Sequence, residues 1–480
     1  MTSHLHENPP LPSGSQMAFV HNANVPGQTR KAGMELGPQW CPSNVMRCAS
    51  RFVLKSTPRS DELSSGTKVR MKRHHYDLLY KLCTSTAVIL VLLVVMGIWH
   101  LGSNSMIACG FAGAFFFHVG SRPKTKHLLW AVAAGTGYGI AYALLGTSFG
   151  RSAVQVATGL GAFLGLGSLT VMTLAMVWTD TRAYVEPLRR ALVLPVFSLI
   201  AGVSMDAVTK SQPPAYDFYL YAFDSGLGIS PGASVAKLFD VLPWLGIAAS
   251  VTYALLLLFP TLYDAWGLRR GLRSSLMTAF AVGGVCGFIF YQICPGLGPL
   301  YVFGFRFPAH LPAPGEFQLA MYHGAGARNA MPSMHMTWAL LVWWCAWELT
   351  PLARFIATGF AALTFLSTLG FGEHYLIDLI VAVPFALLIE AICALKKERN
   401  AAMAAGAVGL GLTLSWLLIL RTTAVAHLPV WACWGMVAAT IAITVPIQFA
   451  FHRRLRTTGR GTELFAIPAQ LKLGRAVALR

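Results

Sequence analysis

The sequence predicts an all-α integral membrane protein, a polytopic bundle of about twelve transmembrane helices. Three observations lead to this fold class. Of the 480 residues, 55% are hydrophobic and only 12% are charged, and the mean hydropathy is +0.56, which is more apolar than an ordinary soluble domain. Apolar runs of roughly 17 to 25 residues recur along the chain, the length that crosses a bilayer as a helix. Basic residues gather in alternate loops between these runs.

The predicted spans begin after a polar amino-terminal region. Residues 1–75 are rich in Ser, Pro, Asn and basic residues, and we interpret them as a disordered cytoplasmic tail. The first thirty residues lack the apolar stretch of a cleavable signal peptide, so we expect the first span to direct the chain to the membrane. We place spans at about 82–101, 106–120, 128–148, 153–178, 190–208, 241–262, 274–294, 334–350, 352–371, 375–395, 401–420 and 429–450.

The distribution of basic residues predicts the orientation. Short loops rich in Lys and Arg stay in the cytoplasm, and every such cluster falls on one side if the amino terminus is inside. Both termini are then cytoplasmic, and the net charge of +18 reflects topology, so no nucleic-acid partner is expected. The clusters lie at 122–126, 182–190, 269–273, 354, 396–399 and 453–456.

Five parts follow from this map. They are a basic tail (1–75), accessory transmembrane helices (76–185), a six-helix core (186–396), two C-terminal transmembrane helices (397–452) and a basic cytoplasmic tail (453–480). Most of the nine cysteines sit in apolar runs without a C-x-x-C pair, which indicates core packing. No nucleotide-binding or zinc-ligand spacing occurs, so neither a cofactor nor a metal is predicted.

Two long loops are predicted on the non-cytoplasmic side, at about 209–240 and 295–333, and long loops often carry function. The second leads into an apolar helix through the run 328–335, R-N-A-M-P-S-M-H. Ser333 is a plausible N-cap, and His335 would lie in the first turn, where free backbone N–H groups and the helix dipole attract anions. With Arg328 five residues upstream of the cap, this helix start is a candidate phosphate site.

The first long loop contains an aromatic stretch, Tyr216–Phe223. We interpret it as an interfacial belt or loop anchor in preference to a substrate platform, because aromatic side chains favour the membrane interface. Asp217 and Asp224 flank this stretch, and they are expected either to bind a polar headgroup or to be ordinary solvated loop carboxylates.

A second motif opens the tenth predicted span. His374 and Asp378 are four residues apart and so share one helical face. After His335 the chain crosses the membrane, turns and crosses back, so the two histidines should meet at the non-cytoplasmic side. An aspartate inside a span is costly without a partner, and His374 is the nearest one in sequence. A carboxylate-oriented imidazole facing a second imidazole suits covalent phosphoryl transfer.

These residues resemble the membrane branch of the type 2 phosphatidic acid phosphatase superfamily. Its P-S-x-H and H-x-x-x-D elements match the run 332–335 and the pair His374 and Asp378. The resemblance covers about 190–395. It implies that His374 is the nucleophile forming a phosphohistidine, that Asp378 orients it and that His335 is the general acid. It also implies that Arg328 and the Ser333 region hold phosphate oxygens.

Two departures from the family pattern guide the predicted activity. Ser367 and Thr368 stand where the family has Ser-Arg, and the family's first element has no clean counterpart, Arg306 being the nearest substitute. These losses are similar to the branch containing inositol phosphorylceramide synthases. We therefore expect a transferase that uses a lipid phosphate or phospholipid donor and a hydroxyl acceptor. A lipid phosphate phosphatase is the alternative, because only exclusion of water separates the two. A secondary transporter is the alternative of another class, although no convincing internal repeat is present.

Overall fold

The computed structural model describes residues 105–144, 153–178, 181–211, 213–271, 276–313 and 316–463. Over these ranges the chain is predominantly helical and has no β-strand, only an isolated bridge between Ala215 and Tyr322. The predicted amino-terminal tail, the predicted span near 82–101 and most of the carboxy-terminal tail lie outside the described residues.

The helices in the described ranges follow one another through short connections, except between Phe303 and Met334, so the first predicted long loop, 209–240, is mostly helical. They are α1 Ser105–Gly120, α2 Thr125–Leu144, α3 Ala153–Trp178, α4 Thr181–Ser211, α5 Asp217–Gly226, α6 Pro231–Val241, α7 Pro243–Ala254, α8 Leu258–Arg269, α9 Leu276–Ile293, α10 Pro299–Phe303, α11 Met334–Ala346, α12 Pro351–Gly370, α13 Leu376–Ala394, α14 Arg399–Ile419 and α15 Val430–Glu463. Short 3₁₀ turns occur at Gly304–Arg306 and Thr423–His427.

Seven of these helices are long and apolar enough to cross a membrane, namely α3, α4, α9, α12, α13, α14 and α15. This finding makes the chain an all-α polytopic membrane protein. The number is smaller than the twelve spans predicted from the sequence. Outside the seven, the predicted spans at 106–120, 128–148, 241–262 and 334–350 correspond to α1, α2, the successive helices α7 and α8, and α11.

A sharp bend of 118° separates α6 from α7, and each of the two helices begins with a proline. Pro at the first helical position is favourable because its missing N–H would have no intrahelical partner there. α6 is amphipathic: it buries Ala233 and Ala236 and exposes Lys237. α7 instead exposes Trp244 and Ile247. This contrast suits an interfacial helix that leads into a lipid-facing one.

The largest apolar core is formed mainly by α5, α9, α11, α12 and α13, and it lies directly below the two histidines. Phe280 and Trp338 stack there with ring centroids 4.1 Å apart. A second core joins α1, α3 and α4. α1 and α3 pack closely because Gly165 lies against the backbone of Phe111, where a Cβ would fall 1.8 Å from the carbonyl oxygen.

The C-terminal helices attach to α13 through polar side chains as well as apolar ones. The Glu390 carboxylate of α13 accepts a hydrogen bond from the Gln448 amide and lies 3.0 Å from the His452 Nδ1 atom. Both partners belong to α15. Hydrogen-bonded polar groups of this kind hold helices together where water is scarce.

Candidate active site

The two histidines meet at one end of the bundle, as the predicted topology required. Ser333 caps α11, its Oγ accepting the amide of Met336 at 3.3 Å, and His335 follows in the first turn. His374 lies two residues before α13. The His335 Nδ1 atom is 3.0 Å from the His374 Nε2 atom, so the rings are in direct hydrogen-bond contact.

Asp378 orients the second imidazole. Its Oδ2 lies 3.3 Å from the His374 Nδ1 atom and also accepts the amide of Tyr375 at 2.9 Å. With a proton on Nδ1 facing the carboxylate, Nε2 of His374 keeps its lone pair. Burial lowers the pKa of His374, which favours this neutral and nucleophilic form. The pair therefore has the arrangement that an activated histidine nucleophile needs.

Tyr253 of α7 fixes the other imidazole, a contact that the sequence analysis did not identify. Its ring stacks on that of His335 with centroids 4.8 Å apart and an interplanar angle of 18°. His335 is only partly buried, so this face-to-face contact defines the plane of a ring that would otherwise have more freedom.

Two helix amino termini adjoin the histidines, and they differ in their free donors. At α13, Asp224 takes the amides of Leu376 and Ile377 at 2.7 and 3.1 Å. At α11, within the described residues, the amides of Met334 and His335 have no hydrogen-bond partner. The start of α11 is therefore the one with donors available for an anion.

The structure corrects the interpretation of the aromatic stretch in the first long loop. It forms the helix α5, in which Leu220 and Phe223 are fully buried, so it is not an interfacial belt. Asp217 is also fully buried and accepts the amides of Leu297 and Gly298 at 3.0 and 2.9 Å. Asp224 is 5% exposed and caps α13. Neither is a solvated carboxylate or free to bind a headgroup.

Of the predicted phosphate-binding residues, Ser333 lies beside the histidines, whereas the Arg328 side chain is engaged by loop carbonyl groups. The Arg328 guanidinium is 1% exposed and donates to the carbonyl oxygens of Pro213, Gly324 and Gly326, so it clamps the two long loops together. Arg306 ends an exposed 3₁₀ turn. Ser333 is the helix cap described above. A role for either arginine in phosphate binding would require a different conformation of its side chain.

At the two positions where the family pattern has Ser-Arg, the side chains of this protein form hydrogen bonds with the backbone. The hydroxyls of Ser367 and Thr368 donate to the Thr364 carbonyl oxygen at 3.0 and 2.9 Å, within their own helix. The Thr368 carbonyl oxygen accepts the amides of both Glu373 and His374 at 3.1 Å. This segment therefore supplies no cation, and it holds the nucleophile in place.

A small cleft, open at its mouth, reaches His374 from the side of the two long loops, and Asp224 is among the residues that line it. Tyr221, Phe307 and Leu311 form apolar walls, and Ser225 supplies a hydroxyl group. The residues that line the cleft in the described part of the chain include no lysine or arginine. The cleft therefore suits an amphipathic, uncharged group more than a free anion.

Residues 219–392 match the family profile described as the PAP2 superfamily. Over this segment the chain is similar to the PAP2 superfamily. Proteins of this superfamily are phosphatases and phosphotransferases, and the chain is an enzyme of that class. The matched PAP2 segment begins in α5, ends in α13 and includes both histidines and Asp378. Comparisons with curated proteins and with solved structures found no match.

A glycine is required at position 298, where the loop packs against the backbone of the residue before His374. Its φ is +107°, and a Cβ there would lie 2.3 Å from the Glu373 carbonyl oxygen. We expect Gly298→Ala to displace the residue before His374 and to lower turnover by about 100-fold, the typical effect of a shift of about 1 Å at a reacting group. Initial rates check this. Gly359→Ala is the control, because no atom lies within 4 Å of its added Cβ, and unchanged turnover in Gly298→Ala would contradict the prediction.

The two buried carboxylates of α5 predict the pH dependence of stability. Burial raises the pKa of Asp217 to about 7 and that of Asp224 to about 8. A carboxyl whose pKa is higher in the folded than in the unfolded chain stabilises the fold at low pH, and this contribution is lost as the pH rises through the folded value. We expect the melting temperature in detergent to fall from about pH 4, the pKa of an aspartate in the unfolded chain, to about pH 8, the higher of the two folded values. Asp224→Asn should weaken the dependence, whereas Asp240→Asn, at an exposed position, should not.

Proposed function

We propose that the protein is a lipid phosphotransferase similar to inositol phosphorylceramide synthases, which works through a phosphohistidine on His374. The observation that supports this most strongly is the chain of contacts from Asp378 to His374 to His335, at 3.3 and 3.0 Å. One ring nitrogen of His374 is held by a carboxylate while the other faces a proton donor. This is the arrangement of a nucleophile with an adjacent acid.

In the first step, the His374 Nε2 atom attacks the phosphorus of the donor lipid. The bond from phosphorus to the leaving oxygen breaks, and His335, which must enter this step as the imidazolium, passes the proton on its Nδ1 atom to that oxygen and becomes neutral. Asp378 stabilises the positive charge that develops on the His374 ring. The free amides at the start of α11, on Met334 and His335, would hold the phosphoryl oxygens with the help of the helix dipole.

In the second step, the acceptor hydroxyl gives its proton to the now neutral His335, and its oxygen attacks the phosphorus. The bond from phosphorus to the His374 Nε2 atom breaks, which restores both histidines. The acid of the first step is thus the base of the second. A lipid hydroxyl completes a transfer, and water in the same position completes a hydrolysis.

The walls of the cleft favour the transferase over the phosphatase. His374 is only 2% exposed, and Tyr221 and Phe307 line the cleft that reaches it. Apolar walls favour entry of a lipid over entry of water. Exclusion of water protects a reactive phosphoenzyme from hydrolysis. The absence of the family's arginine at Thr368 agrees with this choice.

We place the site at the periplasmic or luminal face, with both termini in the cytoplasm. Arg354 lies in the first turn of α12, whose other end leads to His374, and Lys396 and Lys397 follow the end of α13 away from it. The basic residues therefore lie at the opposite ends of the helices that carry the site, and basic loops remain in the cytoplasm.

Purified protein in vesicles, supplied with labelled phosphatidylinositol and ceramide or with phosphatidic acid alone, tests the proposal. A new labelled phospholipid is expected in the first mixture. Release of phosphate alone, without a new phospholipid, would replace the transferase by the lipid phosphatase. Movement of an intact phosphorylated solute across the bilayer without any bond cleavage would instead support the transporter.

A further inference from the structure

We propose that Asp224 and Asp217 of α5 are positioning residues for the transfer reaction, an inference that rests on the function proposed above. Both carboxylates are buried and lie seven residues apart, on about the same face of α5. Their hydrogen bonds go to the segment that follows His374 and to the loop that packs against the residue before it. Neither makes a hydrogen bond to a histidine within the described residues, so each acts through the backbone that carries the nucleophile.

Asp224 fixes the start of α13. Its two oxygens accept the amides of Leu376 and Ile377, at 2.7 and 3.1 Å, across 152 residues of sequence. Asp378 sits in the same first turn, and its own carboxylate reaches back to His374. The cap therefore sets the position of the turn that orients the imidazole. A free helix start would fray, and the contact between Asp378 and His374 would loosen with it.

Asp217 fixes the covering loop and the residue after the nucleophile. It accepts the amides of Leu297 and Gly298, and the Tyr375 hydroxyl donates to it at 3.1 Å. Gly298 lies against the Glu373 carbonyl, so the loop presses on the residue before His374. The residues on both sides of His374 are thus held, directly or through the loop, by one carboxylate.

The last two helices hold α5 in turn. The Arg421 Nε atom donates to the Tyr216 hydroxyl at 3.0 Å, with the guanidinium 5.2 Å from the ring centroid. The Trp434 indole donates to the Leu227 carbonyl oxygen at 3.0 Å. Arg421 and Trp434 lie beyond residue 392, outside the matched PAP2 segment. The C-terminal region therefore stabilises α5, the helix that carries Asp217 and Asp224, and so contributes indirectly to the reaction.

The hydrogen-bond partners of the two carboxylates show how to test whether Asp224 acts by positioning the backbone or by its negative charge. All the partners of both carboxylates are donors, namely backbone amides and a tyrosine hydroxyl. Near neutral pH, burial favours the neutral acid of Asp224, whose pKa is raised to about 8. The side chain of asparagine has the shape of that neutral acid and retains an acceptor oxygen. Asparagine can therefore accept one of the two amides, while its NH2 group faces the other donor, so it should replace Asp224 in part; alanine can accept neither.

The test compares Asp224→Ala and Asp224→Asn in the full chain, in lipid vesicles. We expect Asp224→Ala to lower kcat by about 100-fold with KM changed less than about threefold, because bound substrate meets a displaced nucleophile. Asp224→Asn should lose less than Asp224→Ala, about tenfold, because it keeps one of the two hydrogen bonds. Arg421→Ala should lower kcat in the same direction. Asp240→Ala, at an exposed position on α6, is the matched control and should change nothing.

Each result of these assays either supports or contradicts the proposal that Asp224 is a positioning residue. Equal losses in Asp224→Ala and Asp224→Asn would overturn positioning in favour of a charge requirement, and a wild-type kcat in Asp224→Ala would overturn it outright. Reaction of His374 with diethyl pyrocarbonate, followed by mass spectrometry, reports its placement without turnover and should be faster in Asp224→Ala, because the native ring is 2% exposed. His374→Ala is assayed in parallel. If His374→Ala remains active, the proposed function is wrong. If only the positioning proposal is wrong, His374→Ala should still be inactive.

Discussion

Replacing His374 by alanine is expected to abolish turnover, with a loss of about 10⁶-fold in kcat, comparable to removal of a covalent nucleophile in other enzymes. The Nε2 atom is the group that would bond to phosphorus, and in the proposed mechanism the neighbouring His335 is the acid and base and not the nucleophile. Initial rates with labelled donor lipid measure the loss. Rapid acid-free quenching should reveal a labelled, acid-labile phosphoenzyme in the wild type and none in the variant.

His427→Ala is the control for this change, because that histidine is exposed in a 3₁₀ turn far from the reacting pair in sequence. It should retain wild-type rates and the phosphoenzyme. A His374→Ala protein that folds and still forms the labelled product would contradict the mechanism, since no covalent step could then pass through this ring. Retained solute movement without chemistry would point to a transporter.

Much of the fold could be predicted because it depends on local patterns. The helix α3 has the predicted bounds, 153–178, and α9 and α13 differ from prediction by at most two residues at each end. Apolar run length, caps and prolines act within a few residues, so a single sequence displays them. The meeting of His335 and His374 followed from connectivity, because two crossings return the chain to the same side.

The support around the histidines could not be predicted, because it joins residues distant in sequence. Asp224 bonds to amides 152 residues away, and Tyr253 stacks on a ring 82 positions later. Aromatic side chains suit both a buried helix and a membrane interface, so the stretch that became α5 was ambiguous. Arg328 was ambiguous in the same way, since carbonyl oxygens of a loop satisfy a guanidinium as phosphate oxygens do. The spacing of seven between Asp217 and Asp224 was the one local sign of a helix.

Replacing His335 by alanine should lower kcat on the natural lipid by about 10³-fold, within the range usual for loss of a general acid or base. The effect should depend on the leaving group. An aryl phosphodiester releases a phenolate that needs no proton, so the first step would survive, while the second step would still lack its base. The phosphoenzyme should then accumulate, visible as a burst of phenolate equal to the enzyme present.

Tyr253 supplies the comparison for this variant. Tyr253→Phe keeps the ring that stacks on His335 at 4.8 Å and should behave as the wild type with both substrates. Tyr253→Ala leaves the imidazole chemically intact but free to turn, so it should lose activity on the natural lipid less severely than His335→Ala. If His335→Ala lost the same factor on lipid and aryl substrates, with no burst, proton transfer could not be its role. The 3.0 Å contact to His374 would then serve substrate binding or the placement of the nucleophile instead.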